Sequence, residues 1–177
     1  VNELMEKYRE EIERTLDKYP TGLQRSAVMP LLYLAQRKEG YVSKQSIQDI
    51  AEILDINPTE VASLIGFYTL FYEEPGGRYR IQVCTDIACA VRGSDQFFKD
   101  LCEYLEVKPG ETTTDGLFTV ESVMCLAACN HAPMFQVQGD GEITYHENQT
   151  LESAKAFIEE VRRQHKKNNP LPEESDT

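Results

Sequence analysis

A chain of 177 residues, 41% of them hydrophobic, has the length for one ordinary domain or two small ones and enough apolar material for a buried core. Eighteen basic against thirty acidic residues leave a formal charge of −12, which argues against nucleic acid or an acidic membrane as the main partner, because phosphates would be repelled. No stretch approaches the roughly 18 to 20 apolar residues of a membrane span, and "VNELMEKYREE" lacks the basic-then-apolar order of a secretory signal, so a cytoplasm or an equivalent compartment is the expected setting.

The first seventy or so residues read as helical. Leu4, Tyr8, Ile12, Leu16 and Tyr19 recur every three to four positions, and Val28, Leu31, Leu32, Ala35 and Gln36 repeat the pattern until "KEGY" breaks it at Gly40. A third helix carries Ile47, Ile50, Ala51 and Leu54 on one face. A fourth opens with Asn57 as cap, Pro58 at the first helical position and Glu60 three residues after the cap. "EEPGGR" then punctuates the chain, which places a domain boundary near Glu73–Arg78.

Beyond it the period changes. "RYRIQVC" alternates as a strand, "GSDQFFKDLCEYLEV" reads as a helix with Phe97, Phe98, Leu101, Cys102 and Leu105 inward, and "GLFTVESVMC" is a second strand. "PMFQVQGDGEITYH" predicts a hairpin turning at Gly139–Gly141, and a last helix runs through Leu151, Ala154, Phe157, Ile158 and Val161. The expected architecture is α+β: a helical domain over 1–75, a β-α-β-β-β-α domain over 76–165, and a flexible charged, proline-bearing tail over 166–177.

Five cysteines are an odd count for a secreted disulfide framework, so metal binding or redox chemistry is the better expectation. Cys84 ends one predicted strand and Cys89 starts the next helix, while Cys125 and Cys129 lie in the loop after the following strand. Both pairs therefore fall at one edge of the sheet, with thirty-five residues between them for a helix and a strand. Four thiolates so placed are the expected ligand set for a 2Fe-2S cluster. Its negative charge calls for backbone N–H groups, the helix N-terminus near Gly93 and Arg92 as compensation, and Ala88, Ala90, Ala127 and Ala128 would let the backbone approach the sulfurs. A four-cysteine zinc site remains an alternative, although it usually uses tighter C-x2-C turns. A dithiol redox site would want C-x-x-C at a helix start, and neither pair supplies it. Cys102, beside Phe98 and Leu105 on an apolar face, reads as a buried free thiol.

The C-x4-C pair in "VCTDIACAVRG" and the C-x3-C pair in "ESVMCLAACNHAPMFQV", preceded by "MPLLYLAQRKEGYVS" and "TEVASLIGFYTLFY", resemble the small thioredoxin-like 2Fe-2S subunit of NADH:quinone oxidoreductase (complex I) over nearly the whole chain. The resemblance implies a thioredoxin-like C-terminal domain and a 2Fe-2S cluster held by Cys84, Cys89, Cys125 and Cys129, the first two on one iron and the last two on the other. It further implies association with a larger flavoprotein that carries FMN, the NADH site and a 4Fe-4S cluster, alongside other peripheral-arm subunits. Such a chain would sit at the inner face of the cell membrane, or on the matrix side in mitochondria, without spanning the bilayer. NAD-linked hydrogenases and formate dehydrogenases use the same subunit type, and a zinc docking module or a thioredoxin-like oxidoreductase would be different outcomes altogether. No G-x-G-x-x-G follows a strand, so NADH chemistry would belong to the partner. His131 is read as a loop histidine that tunes the cluster or caps the loop rather than as a ligand. Pro133, just before a strand, resembles the cis-proline of thioredoxin-like folds. Phe67, Tyr68, Phe71 and Tyr72 read as core, with part of the stripe available to a partner.

Overall fold

Asn2 starts the first helix, α1 (Glu3–Leu16), by accepting the Met5 N–H at 2.8 Å, and a carboxylate from elsewhere completes the cap: buried Asp49 accepts the Leu4 N–H at 2.8 Å. The computed structural model describes residues 2–168, which divide between Gly76 and Gly77 into two compact units. The apolar period of α1 continues in sequence to Tyr19, but the helix stops at Leu16, because Pro20 disfavours helical backbone in the residue before it. A short 3-10 turn (Gln24–Ala27) leads into α2 (Val28–Glu39), which ends as read from sequence: Gly40 adopts φ +84° and its N–H bonds the Gln36 carbonyl at 2.7 Å.

Helix α3 (Lys44–Leu54) is capped by Ser43, and α4 (Pro58–Phe67) by Asn57, whose side chain accepts the Thr59 N–H at 2.8 Å. Glu60, placed to close a capping box, pairs instead with the guanidinium of Arg25. The helices meet over Leu4, Ile12, Leu31, Leu32, Ile50 and Val61, all buried. Phe71 joins this core while Phe67 and Tyr68 stay exposed, so the aromatic stripe is divided between interior and surface.

The second unit is a four-stranded sheet in the order β2-β1-β3-β4, made of β1 (Tyr79–Cys84), β2 (Phe118–Val123), β3 (Phe135–Gly139) and β4 (Glu142–His146). β1 is central, parallel to β2 and antiparallel to β3, and the row Val120–Ile81–Val137 supplies one buried face. A five-residue helix, α5 (Ile87–Val91), and a longer one, α6 (Ser94–Leu105), connect β1 to β2. The final helix, α7, spans Leu151–Asn168. Phe97 and Leu101 of α6 and Ala154 and Ile158 of α7 pack on that face. Gly77 lies so close to β2 that a Cβ on it would sit 2.7 Å from the Phe118 backbone, and its N–H bonds Thr119 Oγ1 at 2.7 Å.

Two expectations change. The single helix anticipated after β1 is two, because Gly93 at φ +90° turns the chain between α5 and α6. The tail begins later than residue 166: α7 continues through Lys166, Lys167 and Asn168, cations at a helix C-terminus being favoured by the dipole. The remainder of the expected tail, 169–177, lies outside the described residues.

At the far end of β4, the His146 ring stacks on Phe135 at 4.7 Å and tilts against Phe157 at 4.4 Å, with Thr144 Oγ1 3.1 Å from Nε2. Burial among these rings holds the His146 pKa below the ordinary histidine value. The unfolded chain therefore binds the proton first, and this site's contribution to stability falls as pH drops below about 6.5. Thermal melts across that range should lose this component of the pH slope in His146→Phe; an unaltered slope would rule the site out as its source.

Candidate metal centre

Cys84 is the last residue of β1 and is buried; its N–H donates to the Met134 carbonyl at 3.2 Å. Asp86 then caps α5 by accepting the Ile87 N–H at 2.8 Å, which lifts the chain into one helical turn and places buried Cys89 in the middle of it. The parallel register pairs Cys84 with Val123, so Cys125, two residues farther along the chain from β2, leaves the sheet at the same end as Cys84. Thirty-five intervening residues are thus folded away and the two pairs are brought together.

The second pair has a different character. Cys125 and Cys129 are exposed and their sulfurs are 3.9 Å apart. Two sulfurs on one tetrahedral centre, at bond lengths of about 2.3 Å, would lie about 3.8 Å apart. Ala127 takes φ +61° between them and directs its N–H at Cys125 Sγ, 3.3 Å away. This is the backbone donor that the small loop residues were expected to allow. Cys129 opens a 3-10 turn (Cys129–His131), after which the Ala132–Pro133 peptide is cis. Met134 and Ala132, both buried, pack with Cys84 and Cys89 beneath the site.

The thiols feel one another. Burial, followed by the hydrogen bond and charge of Cys84 and the charge of Cys129, pushes Cys89 up to about 11. The hydrogen bond and charge of Cys125, with burial and then Cys84, push Cys129 upward as well. Each pair raises a member of the other, so the four sulfurs share one neighbourhood. Among the described residues no three His, Cys, Asp or Glu side chains converge as they would around a single ion. The thiols group as two and two, Cys84 with Cys89 and Cys125 with Cys129.

His131 is turned elsewhere. Its Nδ1 lies 3.4 Å from Asn148 Nδ2 and 3.8 Å from Glu147 Oε2, and its carbonyl accepts the Asn148 N–H at 2.7 Å, fastening this loop to the segment after β4. Cys102 sits on α6 among Phe97, Leu101 and Leu105, where burial alone raises its pKa. Arg92 occupies the exposed turn between α5 and α6.

Sequence reasoning did not find three features. Ile87, Val91 and Met124 are 80%, 84% and 74% exposed, each within two positions of a cysteine. Ser94, the first residue of α6, is wholly buried. Asp86 had a legible signal as a cap before a short apolar run; the exposure of the three aliphatics and the burial of Ser94 had none.

With this geometry in place, comparison with known proteins is informative. Residues 12–162 match the family described as thioredoxin-like [2Fe-2S] ferredoxin. A Thermus thermophilus protein named NADH-quinone oxidoreductase subunit 2 is 40% identical over 129 residues, 73% of this chain and 71% of its own length. A Rhizobium meliloti protein, also named as a subunit of NADH-quinone oxidoreductase, is 40% identical over 154 residues, 87% of this chain and 88% of its own. Among solved structures, an NAD+-reducing [NiFe]-hydrogenase in the H2-reduced state shares the fold with a TM-score of 0.62 at 20% identity. That match covers 83% of this chain but only 23% of the hydrogenase chain. The thioredoxin-like architecture, the paired cysteines at one sheet edge and the extended family match lead to one assignment: the chain belongs to the thioredoxin-like [2Fe-2S] ferredoxin family.

Proposed function

We infer that this chain is the 2Fe-2S electron-carrier subunit of an NADH:quinone oxidoreductase, with Cys84 and Cys89 holding one iron and Cys125 and Cys129 the other. The observation that carries the reading is the two-and-two grouping of these thiols at one end of the sheet, with the Ala127 N–H already directed at a sulfur. Relatives at 37–40% identity bearing the NADH-quinone oxidoreductase name support that host complex. When bound, the cluster takes up and returns single electrons.

The chain's own residues supply the rest. Met134 and Ala132 keep water from the inner pair, while the exposed outer pair marks the side from which an electron arrives or leaves. Ile87, Val91 and Met124 flank the cysteines in the chain, and exposed aliphatics next to a redox site suit close, desolvated contact with a partner protein. That partner is the flavoprotein carrying FMN and the NADH site, so the isolated chain is a carrier and the assembled complex is the oxidoreductase. No helix among the described residues is long and apolar enough to cross a membrane.

The test is iron and acid-labile sulfide content of anaerobically purified chain, read with EPR after dithionite reduction. About two irons and two sulfides with a rhombic signal are expected. The signal should also appear on adding NADH with the flavoprotein partner, and not with NADH alone. Zinc without sulfide, persisting through attempted cluster reconstitution, would overturn the reading.

A further inference from the structure

Helix α6 begins without a side-chain cap. Its N-cap is Gly93, which has no group to accept the first-turn N–H bonds. The next residue, Ser94, is 0% exposed, and its hydroxyl finds no hydrogen-bond partner among the described residues. Buried hydroxyls are nearly always bonded, so one left over marks a place where an acceptor belongs.

The neighbouring acceptor is a sulfur. Ser94 follows Cys89 by five residues across a tight turn, in which Arg92 N–H donates to the Cys89 carbonyl at 3.0 Å and Gly93 N–H to the Ala90 carbonyl at 2.9 Å. This folds the start of α6 back beside Cys89. The Ser94 hydroxyl faces the Cys89 sulfur without closing a hydrogen bond to it. A protonated thiol is a weak acceptor, but a thiolate is a charge-assisted one. The buried, unpartnered donor is therefore matched to the sulfur as an iron-bound thiolate.

We propose that Ser94 is a positioning residue whose hydroxyl donates a hydrogen bond to Cys89 Sγ when that sulfur is an iron-bound thiolate, raising the reduction potential of the bound cluster. The direction follows from charge. Reduction adds an electron to a group that is already anionic, so a donor on a ligand sulfur, aided by the positive end of α6, stabilises the reduced state more than the oxidised one. The proposal rests on the ligand assignment above.

The experiment is an EPR-monitored redox titration of the full chain carrying its cluster, as wild type, Ser94→Ala and Ser94→Thr. The alanine variant should keep its iron and sulfide while the reduced-to-oxidised ratio at the wild-type midpoint falls by about tenfold, a shift of ~59 mV for one electron. The threonine variant, which keeps the hydroxyl, should stay near wild type. Pulsed EPR after exchange into D2O should show a coupled exchangeable hydron in wild type and Ser94→Thr that Ser94→Ala lacks. An unchanged midpoint and unchanged couplings in loaded Ser94→Ala overturn this inference alone. An alanine variant that takes up no cluster where threonine does overturns it too, since Ser94 would then serve assembly. A wild-type chain without a 2Fe-2S cluster overturns the functional reading and this inference with it.

Discussion

Cys125→Ala should abolish the 2Fe-2S EPR signal and reduce bound iron from about two per chain to near zero, whereas Cys102→Ala should leave both unchanged. The contrast tests the site because the two residues share chemistry and differ in place. Cys125 is exposed, 3.9 Å from Cys129, and already accepts a backbone N–H. On the proposed ligand assignment its removal would leave one iron with a single thiolate from this loop, and His131 is held against Asn148 and Glu147 rather than turned to replace it. Cys102 packs against Phe97 and Leu105, and losing its sulfur costs only a small cavity, about 1 kcal/mol. Iron analysis and EPR on the two variants, side by side, decide the matter. A cluster retained in Cys125→Ala would remove this residue from the ligand set.

Glu121→Ala should destabilise the protein by about 3 kcal/mol, lowering Tm by about 10 °C or more. On the sheet face opposite α6 and α7, the cross-strand row Glu121–Gln82–Gln136 is polar yet largely buried, with Gln82 only 2% exposed. Gln136 Nε2 donates to Gln82 Oε1 at 2.5 Å, Gln82 Nε2 to Glu121 Oε2 at 3.3 Å, and Arg80 Nη1 to Glu121 Oε1 at 2.6 Å. One carboxylate therefore serves both a buried guanidinium and a buried amide. Deleting it removes an acceptor from each where water cannot fully substitute. Glu3→Ala is the control: its pair with Lys7 is exposed on both sides and should be worth less than about 1 kcal/mol. A thermal shift for Glu121→Ala no larger than the control's would show that this row does not hold the sheet. Glu121→Gln, which keeps an acceptor oxygen, should fall between them.

The buried polar row also shows where reading a strand from its pattern stops. Alternation in "RYRIQVC" correctly puts Ile81 and Val83 on the face under α6 and α7. The same alternation makes Arg80 and Gln82 look like residues for water, and they are not, because burial of a polar face is set by cross-strand partners that one strand's sequence does not contain. Helix α5 was hidden for another reason. A five-residue helix is too short to display a 3.6-residue period, and it is held by the Asp86 cap and by packing of Cys89 rather than by propensity. Its separation from α6 depends on the left-handed turn at Gly93, one of many backbone states a glycine can take.

Other elements were legible because their causes are local. Gly40 stops α2, Asn57 and Pro58 start α4, and Gly141 turns the β3–β4 hairpin, each through backbone chemistry confined to a few residues. The candidate ligands were legible for a similar reason: thiols spaced by four and three residues in loops that follow strands already imply a shared centre.

The sequence by itself determined most of the element types and the four thiols in loops after strands, since caps, turns and periodicity act over a single turn or strand. Only the tertiary structure decided how they meet. The parallel register of β1 with β2 brings Cys84 and Cys125 to one end, the α5–α6 turn buries Ser94 at the start of α6, and packing separates a buried inner pair from an exposed outer one. These are distances between segments far apart in the chain, and they follow from which surfaces bury one another, a choice made by the whole fold at once.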